Sequence, residues 1–124
     1  MHEINDYLYK AHSKLKSSKK LYEIGQYADS VSLSYYAMYS AATAMLLKIG
    51  ISTTRHKGTM NEIYKNYVKT DKLNHRIYAN FAGTQSLRET SDYSAVVDID
   101  DKIANIKIEQ AEEFIKEAEK LIFN

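Results

Sequence analysis

Cysteine, proline and tryptophan are absent from this chain of 124 residues, and glycine occurs only four times. Without cysteine there is no disulfide framework and no thiolate metal site. Without proline, and with so few glycines, little interrupts a helix, so long helices joined by short connections are favoured. No apolar run approaches the ~18 residues of a membrane span. The opening "MHEINDYLYK" lacks the apolar core of a secretion signal. A cytoplasmic protein without a membrane contact is the expectation.

What is present fits a globular chain. Hydrophobic content is 44% and charged content 27%, both ordinary values. The length can bury one core without staples, so residues 1–124 are expected to form a single domain. Tyrosine is abundant, at 11 against three phenylalanines. Core tyrosines bring hydroxyls that need partners, which predicts a rather polar core or a helix–helix interface. The formal charge of +1 hides an asymmetry. Residues 55–76 carry six Lys/Arg and two acids, whereas 89–119 carry ten acids and three lysines. The basic stretch can meet phosphate or the chain's own acidic last helix.

Hydrophobic spacing predicts an all-α, up-and-down antiparallel bundle of four long helices and one short one. The first helix spans about 3–23, with Ile4, Tyr7, Leu8, Ala11, Leu15, Ser18 and Tyr22 on one stripe and Gly25 as its stop. The second, about 26–48, is the most apolar and therefore central. Its stripe is Ala28, Val31, Tyr35, Met38, Ala42, Met45 and Ile49, widened by Tyr36, Tyr39 and Leu46, and Gly50 ends it. Thr59 with Glu62 is a capping-box pattern, predicting a short helix from there to about 69. Asp71 is the expected cap of a helix over about 72–90, with Leu73, Ile77, Phe81, Thr84 and Leu87 inward. A loop over 91–99 follows. Asp98 or Asp100 then caps a last helix whose stripe is Ile103, Ile106, Gln110, Phe114, Ala118 and Leu121.

Several chemistries lack their motifs. The histidines are His2, His12, His56 and His75, with no HxxxH pair, so no metal site is expected. There is no phosphate-cradling glycine loop, and no cofactor is expected. What remains is a polar set near the loop ends: Tyr35 and Tyr36, then Arg55, His56 and Lys57, then Arg88, Asp92 and Tyr93. Arg88 can hold a phosphate through paired hydrogen bonds or simply bridge to Asp92 one turn on. Tyr93 can accept a modifying group or plug the core. His56 can serve a site or cap a carbonyl.

Three ordered segments carry a resemblance. "SYYAMYSAA" on the second helix, "TTRHKG" with "IYKNYVKT" after it, and "LRETSDYS" resemble the HEPN family of small helical proteins. That resemblance implies a bundle that forms a homodimer. It is often paired with a minimal nucleotidyltransferase as toxin and antitoxin. Many members are metal-independent ribonucleases using an Arg and a His four to six residues apart. None of Arg55, Arg76 or Arg88 has that His: the places nearest hold Met60-Asn61-Glu62, Phe81-Ala82-Gly83 and Tyr93-Ser94-Ala95. The resemblance therefore implies a nucleotide- or RNA-associated module without the usual ribonuclease motif. Tyr36, His56, Lys57, Arg88, Asp92 and Tyr93 are its candidate binding or modification residues. Tyr93 is the counterpart of a tyrosine that receives AMP in some relatives. The alternative is a ribonuclease toxin with a nonstandard site built from Arg88, Tyr93 and His56.

Overall fold

The structure is a computed structural model and describes residues 2–93 and 98–124, the side chain of Tyr93 excepted. Among the described residues five α-helices run in order: α1 (His2–Glu23), α2 (Tyr27–Lys48), α3 (His56–Ile63), α4 (His75–Tyr93) and α5 (Asp101–Phe123). A π-helical turn, Tyr64–Val68, continues α3. α1 and α5 are antiparallel, since His12 meets Glu119 and Lys19 meets Glu112. α2 packs on α1, α3, α4 and α5, and so is the central helix that its apolar girth predicts.

Two glycines close the first two helices as expected. Gly25 (φ 80°) and Gly50 (φ 77°) take left-handed backbone that costs a residue without Cβ little. In each case the next amide reaches five residues back, Gln26 to Leu21 and Ile51 to Leu46, satisfying carbonyls that the helix end leaves open. The α1 stripe is as read: Ile4, Leu8, Ala11, Leu15 and Ser18 are buried. Ser18 meets Ser30 and Ser34 of α2. Its Oγ lies 2.7 Å from Ser34 Oγ and donates to the Ser30 carbonyl at 2.6 Å, while Ser30 Oγ donates to the Ser18 carbonyl at 2.9 Å.

Three boundaries differ from the sequence reading. α3 starts at His56, three residues before the expected cap, and Arg55 precedes it without a side-chain cap. Thr59 is instead buried, with its Oγ1 within reach of Thr53 Oγ1 (2.5 Å) and the Arg55 carbonyl (3.2 Å). Its hydroxyl ties the preceding loop to the helix and is not spent on capping. Asp71 does not cap α4. It adopts φ 61° after the π turn, where its amide bonds the Val68 carbonyl and that of Lys72 bonds Tyr67. Asp is one of the few side chains that tolerate this backbone. α4 opens later, with Asn74 Oδ1 accepting the Arg76 amide, and it continues through Tyr93. Residues 94–97 of the expected loop lie outside the described residues. Asp100 caps α5 as read, accepting the Ile103 amide at 2.9 Å.

The buried face of α5 is also turned. Ala104, Ile108, Ala111, Phe114, Ile115, Ala118 and Ile122 are inside. Of the predicted stripe only Phe114 and Ala118 are buried, and Ile106 is 48% exposed. The chosen face carries three alanines, which permits close approach to α2, and leaves Gln110 at the edge, where its amide needs no buried partner. Phe114 meets Phe81 of α4 with ring centroids 4.9 Å apart. α2 is largely covered within one chain; among its apolar and small residues Tyr27, Ala28, Ser32, Leu33, Tyr36, Tyr39, Thr43 and Leu47 remain partly open.

These assignments are separable by mutation. Ile108→Ala should cost about 2–5 kcal/mol in chemical denaturation. Ile106→Ser should stay within about 0.5 kcal/mol. The reverse order would contradict the placement of α5.

Candidate functional site

Three elements meet around one tyrosine. The middle of α2 supplies Tyr35, Tyr36 and Tyr39, the first turn of α3 supplies His56, and the end of α4 supplies Arg88 and Asp92. Tyr35 is fully buried, with its ring stacked on Phe81 of the core at 5.8 Å. Its hydroxyl lies 2.5 Å from His56 Nδ1. The His56 imidazole is stacked on the Tyr39 ring at 4.2 Å and meets the edge of Tyr36 at 6.0 Å. The Arg88 guanidinium carbon sits 5.1 Å from the centre of the Tyr35 ring and 5.4 Å from that of Tyr36. Such cation–aromatic contacts are strongest where water is excluded, and the Arg88 side chain is only 15% exposed.

The hydrogen-bond balance assigns the imidazole tautomer. Burial pushes the Tyr35 hydroxyl well above the ordinary tyrosine range, and the nearby Arg88 charge only partly offsets this. Tyr35 therefore stays protonated and needs an acceptor. His56 Nδ1 is the partner within reach, so in the neutral ring Nδ1 accepts and Nε2 carries the hydrogen. Burial lowers the His56 pKa and the Arg88 charge lowers it further, with Glu89 acting in the opposite sense. The neutral form is favoured at pH 7.

Arg88 is held but not saturated. Nη1 donates to Asp92 Oδ2 at 2.6 Å, across one helical turn. Nε is buried with no partner among the described residues. The buried Nε is itself closed to a ligand, but a guanidinium met by a single carboxylate is suited to a second anion, and it matches phosphate in two-pronged geometry. Arg88 and the Nε2–H of His56 then supply a fixed cation and a neutral donor.

The sequence candidates divide accordingly. Tyr36, His56, Arg88 and Asp92 are brought together. Lys57 is exposed on α3 and makes no hydrogen bond or ion pair among the described residues. The backbone of Tyr93 ends α4, and its side chain lies outside the described residues. Of the two other central members, Tyr35 stands in the polar set with Tyr36, whereas Tyr39 stands out less in the sequence because it also widens the core stripe. Their spacing of four, which places both on one helical face, was the available signal. The basic middle and acidic last helix do meet: Arg76 donates to both carboxylate oxygens of Glu113 at 2.9 Å.

With this geometry in place, likeness to known proteins is informative. A family model described as the HEPN domain matches residues 4–122. The chain belongs to the HEPN domain family. A UPF0332 protein of Archaeoglobus fulgidus is 30% identical over 122 residues, covering 98% of this chain and 97% of that protein. A protein of Methanocaldococcus jannaschii named "Putative toxin MJ0142" is 26% identical over 122 residues, covering 98% and 83%. The crystal structure of TT1696 from Thermus thermophilus matches with a TM-score of 0.83, covering 98% of this chain and 99% of that one. At 13% identity this likeness concerns the HEPN bundle as a fold. Among the described residues no helix is long and apolar enough to cross a membrane.

The state of His56 has a measurable consequence. A lowered folded pKa means that the unfolded chain takes up the proton first as pH falls below about 6.5. Stability should therefore drop as pH falls from about 6.5 toward the lowered folded pKa. His56→Gln should flatten that part of the stability–pH curve. An unchanged slope in the variant would show that His56 titrates as it does in the unfolded chain.

Proposed function

We propose that this HEPN chain is the toxin-like half of a pair whose other member is a minimal nucleotidyltransferase. It works as a homodimer in the cytoplasm, and the cluster of Arg88, His56, Tyr35 and Tyr36 binds phosphate of RNA or a nucleotide. The supporting observation is the sharing of one buried tyrosine: Tyr35 bonds His56 and stacks under Arg88. Family membership and the toxin names of two archaeal relatives are consistent with it. A two-fold contact over α2 and α4 would bring two Arg88 side chains to one cleft.

Binding is favoured over cleavage by the tautomer. With Nδ1 occupied by Tyr35, the neutral imidazole offers Nε2–H as a donor and no outward lone pair to act as a base. The competing reading is metal-independent ribonuclease activity. It draws support from His56 standing near Arg88 in space, although α4 lacks a histidine after Arg88. That reaction would need Tyr35 to give up its role as donor and the ring to change tautomer. Tyr93 stays the proposed site of nucleotide modification by the partner protein.

Arg88→Ala should weaken RNA or nucleotide binding at least tenfold, as expected for a lost charge-assisted contact of roughly 1.5–3 kcal/mol. Arg88→Lys should restore it poorly, because a lysine cannot reproduce the planar stack on Tyr35 and Tyr36. Undiminished binding by Arg88→Ala would eliminate the site. Rapid RNA cleavage by the wild type, lost in His56→Asn, would establish the competing reading. Co-purification with a co-expressed minimal nucleotidyltransferase, with light scattering for the dimer, tests the assembly. A monomer that ignores such a protein would refute it.

A further inference from the structure

A groove between α1 and α2 adjoins the cluster. It has a volume of about 360 Å³ and is lined by Lys10, Lys14, Leu33, Tyr36, Tyr39 and Ser40. Two of these, Tyr36 and Tyr39, are the rings that touch His56, and Tyr36 also faces the Arg88 guanidinium. The groove and the phosphate site thus share side chains. Lys10 and Lys14 are one helical turn apart on the same face of α1. Neither forms an ion pair among the described residues. The neighbouring α1 charges differ: His12 meets Glu119 and Lys19 meets Glu112. Of the acids nearby, Asp6 lines an adjoining hollow with Tyr7 and Lys10 and lies 3.8 Å from His2, while Glu89 acts on His56 and Asp92 pairs with Arg88 in the adjoining cluster.

Uncovered cations beside aromatic faces are the elements of a track for single-stranded nucleic acid, in which bases stack and the backbone follows positive charge. An acidic peptide would satisfy the lysines but would make no use of the tyrosine ring surface that lines the groove. We propose that this groove is a second subsite, seating the nucleotide next to the phosphate held by Arg88 and His56. The ligand is then a single-stranded polynucleotide rather than a lone nucleotide. Its base lies against Tyr36 and Tyr39, and its backbone phosphates meet Lys10 and Lys14. The inference rests on the phosphate-binding reading of the cluster and extends it to a substrate class.

The experiment is fluorescence anisotropy with a labelled oligo(A) of roughly ten nucleotides, measured over a salt series with wild type, the K10Q/K14Q double variant and Arg88→Ala. AMP serves as competitor in each case. K10Q/K14Q should weaken oligo(A) binding roughly tenfold and reduce the salt slope of log affinity by about 1.4, the loss of two phosphate contacts on a single strand. Its affinity for AMP should be unchanged, whereas Arg88→Ala should lose both ligands. K10R/K14R should retain the wild-type slope. If K10Q/K14Q keeps the wild-type slope while Arg88→Ala weakens binding, the groove is idle and the phosphate site stands. If wild type binds neither probe, or no variant changes binding, both readings fall. An altered oligomeric state of K10Q/K14Q in light scattering, with an unaltered salt slope, would make this face a contact between copies and overturn the proposal.

Discussion

The burial of one hydroxyl organises this molecule. Tyr35 sits at the centre of α2 with no exposure at all. Its oxygen cannot reach water, so folding must provide an acceptor or lose about 1–3 kcal/mol. The acceptor comes from another element, at the first residue of α3. That requirement fixes where α3 begins, which way its first side chain turns, and which imidazole nitrogen is protonated. The same ring forms the surface on which Arg88 of α4 rests. Tyr67 meets the same need within the core, donating to the Met45 carbonyl at 2.6 Å.

Much of the bundle was legible in the sequence because its signals are local. The stripes of α1 and α2, the two glycine stops and the Asp100 cap each depend on residues within a turn or two. The misreadings arise where a local pattern admits more than one use. Thr59 and Glu62 have the spacing of a capping box, but Thr59 is claimed by Thr53 and Arg55, and Glu62 is bonded to Asn66. α5 offers two apolar faces of similar quality. Packing against α2 selects the one with the smaller residues. The π turn at Tyr64–Val68 has no sequence signature that periodicity would reveal.

The site was half legible for the same reason. Arg88 and Asp92 are a turn apart, so their pairing follows from helical spacing alone. His56 belongs to the cluster only because α3 starts at that residue, and moving the start to Thr59 leaves it in a loop. Charge followed a similar pattern. The acidic character of α5 is partly spent on α1 and α4, where Glu112, Glu113 and Glu119 meet Lys19, Arg76 and His12. The uneven charge of the sequence is thus partly an internal complementarity. Exposed pairs of this kind add little stability, but they cover Lys19 and Arg76, cations that would otherwise face solvent.

The three serines at the crossing of α1 and α2 bear on all of this. Ser18, Ser30 and Ser34 exchange hydroxyl bonds inside an otherwise apolar contact. A smooth apolar seam would let one helix slip past the other by a turn at modest cost. Here a slip of that size would strand several buried hydroxyls at once. The serines therefore act as a detent: α1 has a single axial setting against α2, and every side chain along it keeps a fixed offset from the tyrosines opposite.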